Sequence, residues 1–516
     1  MRRTIVIALL TVLLAIGLAA CQQQPGDPVA RGLDVITAEA MLGDVAILAG
    51  PDFSGRLSGD PGYEAAARWA VRRFDRLHLE PGGDDGTYLQ RLPIEFNQIQ
   101  GTPTLRVTGF DGAVYDAVLG RDFTCRGFTG SGAVDAEVVF AGYGLSAPEH
   151  GYDDYADIDV NGKIALVFKR LPRWTPDSLA WDPWHGTPRG KATVARQHGA
   201  AALLWFDVPR EGDWAPHRGP IGSVAHGDGE YLPDMPHLEL DLALAERLLG
   251  GDGAAPRLQA AIDSLRSPFS HQTPGRAALA VQSIYDPVRE TCNVVAVLRG
   301  SDPELNGEAL LLGAHLDHVG RQSPTVYFPG ANDNASGAAA VLRLAEAFQA
   351  AGRAPRRSVV FALFAGEESG LVGSSFHADR PVFPLANTIA MFNFDCVACG
   401  DSIRIGGGES EPALWNRARA LDAAHSRRTV ATTWKGGGAD AQPFHERGVP
   451  TLYWVTTNGY AHLHAVTDTP ETLNGHLYAD LVRLAFRTAW ELADAPPAPA
   501  PDTAAAGDAA FTARRN

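Results

Sequence analysis

From Thr291 to Leu492, short and almost wholly apolar runs alternate with stretches whose apolar residues recur every three to four positions. The runs at 293–298, 309–313, 358–364, 388–394 and 450–455 show no polar face, and strands of that kind must be covered on both sides. The stretches 338–348, 414–424 and 477–492 read as the covering helices. In the first of them Val341, Leu342, Ala345 and Phe348 share one face. Buried strands separated by helices leave an α/β sheet with both faces packed as the expected architecture.

The rest of the chain divides around that pattern. Residues 33–79 read as helical in two parts around a loop at 51–56, with Ala66, Trp69, Ala70, Phe74 and Leu77 at helical spacing. After Pro81 the period shortens, and β-like runs such as 104–107 and 134–141 alternate with glycine-rich turns. Between 121 and 282 the regular strand–helix alternation is missing. The simplest organisation is one α/β domain, built from 33–120 and 283–494, interrupted by an inserted β-rich domain at 121–282. Residues 495–516 are rich in Pro and Ala and read as a disordered tail. No repeat with a period of 20 to 50 residues is present. At 45% hydrophobic residues a sizeable core is expected.

The first residues read as an export signal. Arg2 and Arg3 precede an apolar run from Ile5 to Ala20, short of the about 20 residues plus flanks of a spanning helix. The run closes on Leu18-Ala19-Ala20-Cys21, which resembles a bacterial lipobox, so that 1–21 would be a signal, Cys21 the lipidated residue and 22–32 a tether. Gln22, by resemblance to Gram-negative lipoproteins, implies the outer membrane facing the periplasm. An ordinary cleaved signal, giving a soluble periplasmic or secreted protein, is the alternative. Formal net charge is -16, with 44 basic and 60 acidic residues and no basic cluster after the signal. A nucleic-acid partner is excluded on that ground, and membrane contact is expected only through the lipid. Cys396 and Cys399 have the spacing of a redox or zinc motif without a second pair, and read as small buried residues or a local disulfide.

Chemistry concentrates at the strand ends of the second half. His315 in His315-Leu316-Asp317 follows an apolar run. If the extended backbone persists, Asp317 faces the same way and accepts the imidazole N–H, leaving the other ring nitrogen for a metal. Asp333, in Asn332-Asp333-Asn334, lies in a loop of small residues where a carboxylate can bridge two cations. Glu367 and Glu368 are adjacent carboxylates whose repulsion a cation would offset, with Glu368 as ligand and Glu367 as general base toward a water. Asp395 ends another apolar run, and His464 precedes the last helix, with His462 beside it. Taken singly, each fragment also suits an N-cap or a solvated loop. Together they make two imidazoles and three carboxylates, the inventory for two Zn2+ ions per chain.

These fragments, in this order, resemble the zinc aminopeptidase family that includes bacterial aminopeptidase S and glutamate carboxypeptidase II. Phe53-Ser54-Gly55-Arg56 is similar to that family's early Gly-Arg loop, and Gly438-Ala439-Asp440-Ala441-Gln442-Pro443-Phe444 to its late segment. Ala141-Gly142-Tyr143-Gly144, Tyr152-Asp153-Asp154-Tyr155 and Asn161-Gly162-Lys163-Ile164 resemble an inserted protease-associated domain. The resemblance implies a three-layer α/β/α sandwich with a mixed central sheet. It also implies His315 and Asp395 on one zinc, Glu368 and His464 on the other, and Asp333 bridging. Glu367 would be the base and Asp317 the orienting residue. The implied activity is that of an aminopeptidase hydrolysing N-terminal residues from peptides. A glutaminyl cyclase or carboxypeptidase on the same fold, or a non-catalytic binding protein, are alternatives. The family commonly carries Tyr before the last His; here that position is Leu463, with Tyr460 nearby.

Overall fold

The computed structural model describes residues 27–125, 127–174, 181–210, 222–224 and 229–497. The expected signal, Cys21 and most of the expected tail therefore lie outside the described residues. Among those described, no helix is long and apolar enough to cross a membrane.

The peptidase-side sheet runs in the order Ser402–Gly406, Thr451–Thr457, Thr388–Phe394, Ala309–His315, Ser358–Phe364, and then the C-terminal part of His271–Leu298. The four central strands are parallel. The two flanking ones run antiparallel to them, so the sheet is mixed. The physical reason these strands look apolar throughout is visible in their packing. Leu310, Leu312, Phe361 and Leu363 join a core with the helices Ala38–Leu48, Pro61–Arg76, Gly337–Ala350 and Gly475–Ala493. Leu311, Val360 and Ala362 point the other way, toward Ala378 and Phe444 on the opposite helices. Successive side chains on a strand alternate faces, and both faces here are covered.

Two long antiparallel strands, Leu89–Thr108 and His271–Leu298, carry this sheet into the inserted unit. There the sheet continues through Gly132–Phe140, Ile164–Phe168, Ala202–Phe206, His237–Leu240 and Phe123–Cys125. Ile99, Leu105 and Val107 pack in the core of the inserted unit, so that core begins ahead of the boundary expected at 120. Beside its strands the unit holds the helices Pro188–Gln197, Leu242–Leu249 and Ala254–Leu265. Cys125, Cys292, Cys396 and Cys399 are all free, so no local disulfide joins 396 to 399.

One buried histidine makes the fold sensitive to acid. His377, on the helix Val372–Asp379, has its Nδ1 3.0 Å from Gln90 Oε1, and burial pushes its pKa down to about 4. In the unfolded chain a histidine titrates near about 6.5. Between those values the unfolded state binds more protons, so stability is lost as pH falls through that window, by about 2 kcal/mol at pH 5. Urea midpoints at pH 7 and pH 5 should therefore fall less on acidification in His377→Gln than in the unsubstituted protein. An equal fall would remove His377 as the cause.

Candidate metal centre

The chemistry-bearing residues meet at the carboxyl ends of the parallel strands, where open α/β sheets place their sites. His315 is the last residue of Ala309–His315, Asp395 follows Thr388–Phe394, and Glu367 and Glu368 follow Ser358–Phe364. Asp333 lies in the turn before the helix Gly337–Ala350, and its main chain is tied down from outside. The Asp468 carboxylate accepts the N–H of Asn332 at 2.9 Å and of Asp333 at 3.0 Å. Asn334 Nδ2 donates to Phe394 O at 2.8 Å, which fixes this turn to the strand ending at Asp395.

Two groups of potential ligands form, and Asp333 belongs to both. His315, Asp333 and Asp395 make one; His318, Asp333, Glu368 and His464 make the other. Within each group the ligand atoms lie within 4.8 Å of one another. His315 Nε2 is 3.4 Å from Asp333 Oδ1 and 3.5 Å from Asp395 Oδ1. His464 Nε2 is 2.9 Å from Asp333 Oδ2 and 3.0 Å from Glu368 Oε2. The five ligand residues expected from sequence are thus brought together, whereas His462 stays outside, its Nδ1 3.0 Å from Thr467 Oγ1.

Asp317 sits differently from the expectation. His315 Nδ1 is 3.2 Å from the main-chain oxygen of Asp317, while the carboxylate is 3.7 Å away. That carboxylate instead accepts the N–H of Glu367 at 3.2 Å and of Glu368 at 3.4 Å. The reason is that the strand ends at His315, so the alternation that would have aligned the two side chains stops there.

His318 was not anticipated. It is fully buried, and its Nδ1 is 2.7 Å from Glu368 Oε1. Strand alternation would send residue 318 away from residue 315; the chain turning after His315 brings it back. The available signal was the second imidazole in His315-Leu316-Asp317-His318. Gly330, at φ +57°, packs against this ring, and a Cβ there would meet His318 Cδ2 at 2.5 Å. Tyr453 was also missed: its hydroxyl donates to Asp395 Oδ2 at 2.7 Å. It is an interior strand residue 58 positions from its partner, and no local pattern marks it.

Electrostatics describe a pocket short of positive charge. Burial opposes a charged His315, yet Glu367, Asp395 and Asp333 overcome it and hold its pKa well above the ordinary value. His464 is raised in the same way, against burial, by Glu368 and Asp333. Burial, with Glu368, Asp440 and Asp395, lifts Glu367 well above the usual carboxyl range, and His315 opposes this. Burial raises Asp317 to about 7 and Asp440 to about 6. Beneath the site Arg56 is fully buried and donates to the carbonyls of Leu48, Leu316, Pro329 and Gly330. Burial pulls it down to about 10, against the attraction of Asp333, Asp468, Asp317 and Glu368. His315 Nε2 and His318 Nε2 are buried without a hydrogen-bond partner. Bare imidazole nitrogens among crowded carboxylates fit zinc, which takes both donor types.

Residues 293–489 match the model of Peptidase family M28, and residues 134–234 match that of the PA domain. The chain carries an M28 peptidase domain with a PA domain inserted ahead of it. A probable zinc metalloprotease of Leptosphaeria maculans is 28% identical over 290 residues, 45% of this chain and 65% of that protein. An aminopeptidase of Pseudomonas aeruginosa is 25% identical over 370 residues, 70% of this chain and 57% of that one. The chain spans 52% to 65% of the length of three fungal zinc metalloproteases of this kind. Among solved structures, the aminopeptidase from Aneurinibacillus sp. strain AM-1 superposes with a TM-score of 0.59 at 20% identity, covering 89% of this chain and 96% of that one. A Peptidase M28 precursor from Shewanella amazonensis gives 0.63 at 18%, covering 91% and 98%. At these identities the structural likeness shows a shared fold alone.

Proposed function

We propose that the chain is a zinc-dependent aminopeptidase that removes amino-terminal residues from peptides. The observation that carries this reading is the sharing of Asp333 by two buried imidazole–carboxylate groups at the strand ends, with Glu367 beside them and outside both. His315 and Asp395 would hold one zinc ion, and Glu368 and His464 the other, with Asp333 reaching both and His318 on the second side. Zinc bound there supplies Lewis acidity, which polarises a carbonyl and acidifies a water. Glu367 takes a proton from the attacking water as its oxygen bonds to the scissile carbonyl carbon. It then gives that proton to the nitrogen as the C–N bond breaks, releasing the amino-terminal residue and a shortened peptide. Asp317 holds the main chain of both glutamates. Tyr460, on the loop that carries His464, has a phenol raised by burial and by Cys396, Asp395 and Asp333. It is the candidate for stabilising the carbonyl oxygen where Leu463 cannot. The names of the M28 relatives, zinc metalloprotease and aminopeptidase, support the same reading.

The test is a peptide screen on zinc-reconstituted protein. Peptides with a free amine should be shortened from that end, and their N-acetylated counterparts should be left intact. Equal cleavage of both would sink the aminopeptidase assignment.

A further inference from the structure

His464 is the most exposed of the ligand candidates, with 22% of its side chain accessible, and it holds φ +53°, a region that costs most residues energy. Its fixing group comes from the other domain. Gly222, which lies within the PA match, donates its N–H to His464 O at 2.7 Å. The Gly222 carbonyl lies 3.1 Å from His464 Nδ1. A carbonyl only accepts, so in the neutral, metal-binding form of the ring this bond keeps the proton on Nδ1 and turns the Nε2 lone pair toward Asp333 and Glu368.

Independent contacts hold Gly222 there. A Cβ at this position would meet Val319 Cγ2 at 2.6 Å and Phe328 Cε1 at 3.0 Å, so only glycine lets the main chain come this close. Val224 packs in a small core with Leu57, Phe96, Val319 and Phe328, against which Val466 also rests. A second tether joins the two domains close by. Gln322 accepts the N–H of Cys125 at 2.8 Å and donates to the carbonyl of Cys125 at 2.7 Å.

We propose that the PA domain is a positioning element of the metal centre, its Gly222 main chain setting the tautomer and orientation of His464. The inference rests on the two-zinc reading above. It adds that the peptidase domain alone lacks a correctly aimed fourth side chain on the second ion. It also makes the affinity of that ion depend on how the inserted domain is docked.

The experiment uses the full-length Gly222→Ala protein, loaded with zinc and titrated with a chromogenic chelator. Hydrogen exchange of the loop 459–468 is followed in the same preparation with and without zinc. Loss of a group that orients a metal-bound histidine weakens metal binding about 10–100-fold. One of the two ions should therefore be released that much more readily, the other should be unchanged, and the loop should exchange faster in both states. Because an added methyl can disturb folding, Val224→Ala, which trims the same docking without adding an atom, is read alongside and should shift both measurements in the same direction. Unchanged zinc affinity and unchanged exchange in the folded variants overturn the proposal, as does equal weakening of both ions, which marks general loosening. If the unsubstituted protein binds no zinc, the aminopeptidase reading falls and exchange alone decides the docking: faster loop exchange in the variants supports it, and unchanged exchange overturns it.

Discussion

Glu367→Gln should leave zinc bound and lower kcat by about 10²- to 10⁴-fold, the usual contribution of a positioned general base. The amide matches the carboxylate in size and cannot accept the proton of the attacking water. The main chain is untouched, so the Glu367 and Glu368 N–H groups still reach Asp317 and Glu368 stays aimed at its partners. The loss should therefore fall on turnover, with zinc content by atomic emission unchanged. A fully active variant would remove Glu367 as the base. Loss of zinc along with activity would move it into the ligand set.

Asp333→Ala should be the more severe change, because on the proposed two-zinc reading it removes a ligand from both ions at once. Asp333 is the one residue common to the two groups, 3.4 Å from His315 Nε2 through one oxygen and 2.9 Å from His464 Nε2 through the other. Its main-chain N–H is held by Asp468, a contact that survives truncation of the side chain. The fold of the turn should persist while zinc falls below one ion per chain and activity falls at least as far as in Glu367→Gln. Thermal unfolding separates this from simple damage. A ligand present at 1,000 times its dissociation constant stabilises the native state by about 4 kcal/mol. Added zinc should raise the melting temperature of the unsubstituted protein and leave that of Asp333→Ala where it is. A variant that still gains stability from zinc, with two ions retained, would remove Asp333 from the shared position.

What could be read from the chain follows from what local pattern encodes. Runs such as 309–314 and 359–364 are apolar at every position because helices pack on both their faces, and that leaves a trace in sequence. His315, Glu368 and Asp395 were legible for a related reason, since each ends or closely follows an apolar run at a strand end, while Asp333 and His464 were legible from their loops and their place in the order of fragments. The contacts that were not legible depend on where the chain turns or on distant partners. The Asp317 carboxylate turns to Glu367 and Glu368, and His318 enters the site, because the strand stops at His315 and alternation no longer holds beyond it. Tyr453 and Gly222 act on residues 58 and 242 positions away, and nothing next to them in sequence announces it. The two long strands were read only in fragments, because along residues such as Gln98, Gln100, Arg276 and Gln282 neither face stays apolar.

Those long strands also govern how the molecule is assembled. Thr108 and Arg276 are paired partners at the far end of the ribbon, so everything between them enters and leaves through one doorway. A segment inserted there leaves the chain ends already side by side, and lengthening such a connection adds only about 0.6 kcal/mol of closure cost per doubling. The ribbon is in effect a socket. By that argument it should tolerate exchange of what is plugged into it while the peptidase sheet stays in register. Yet the plugged-in module returns through Gly222 to the metal centre, so a graft accepted by the fold would still retune the chemistry, with every residue of 293–489 left as it was.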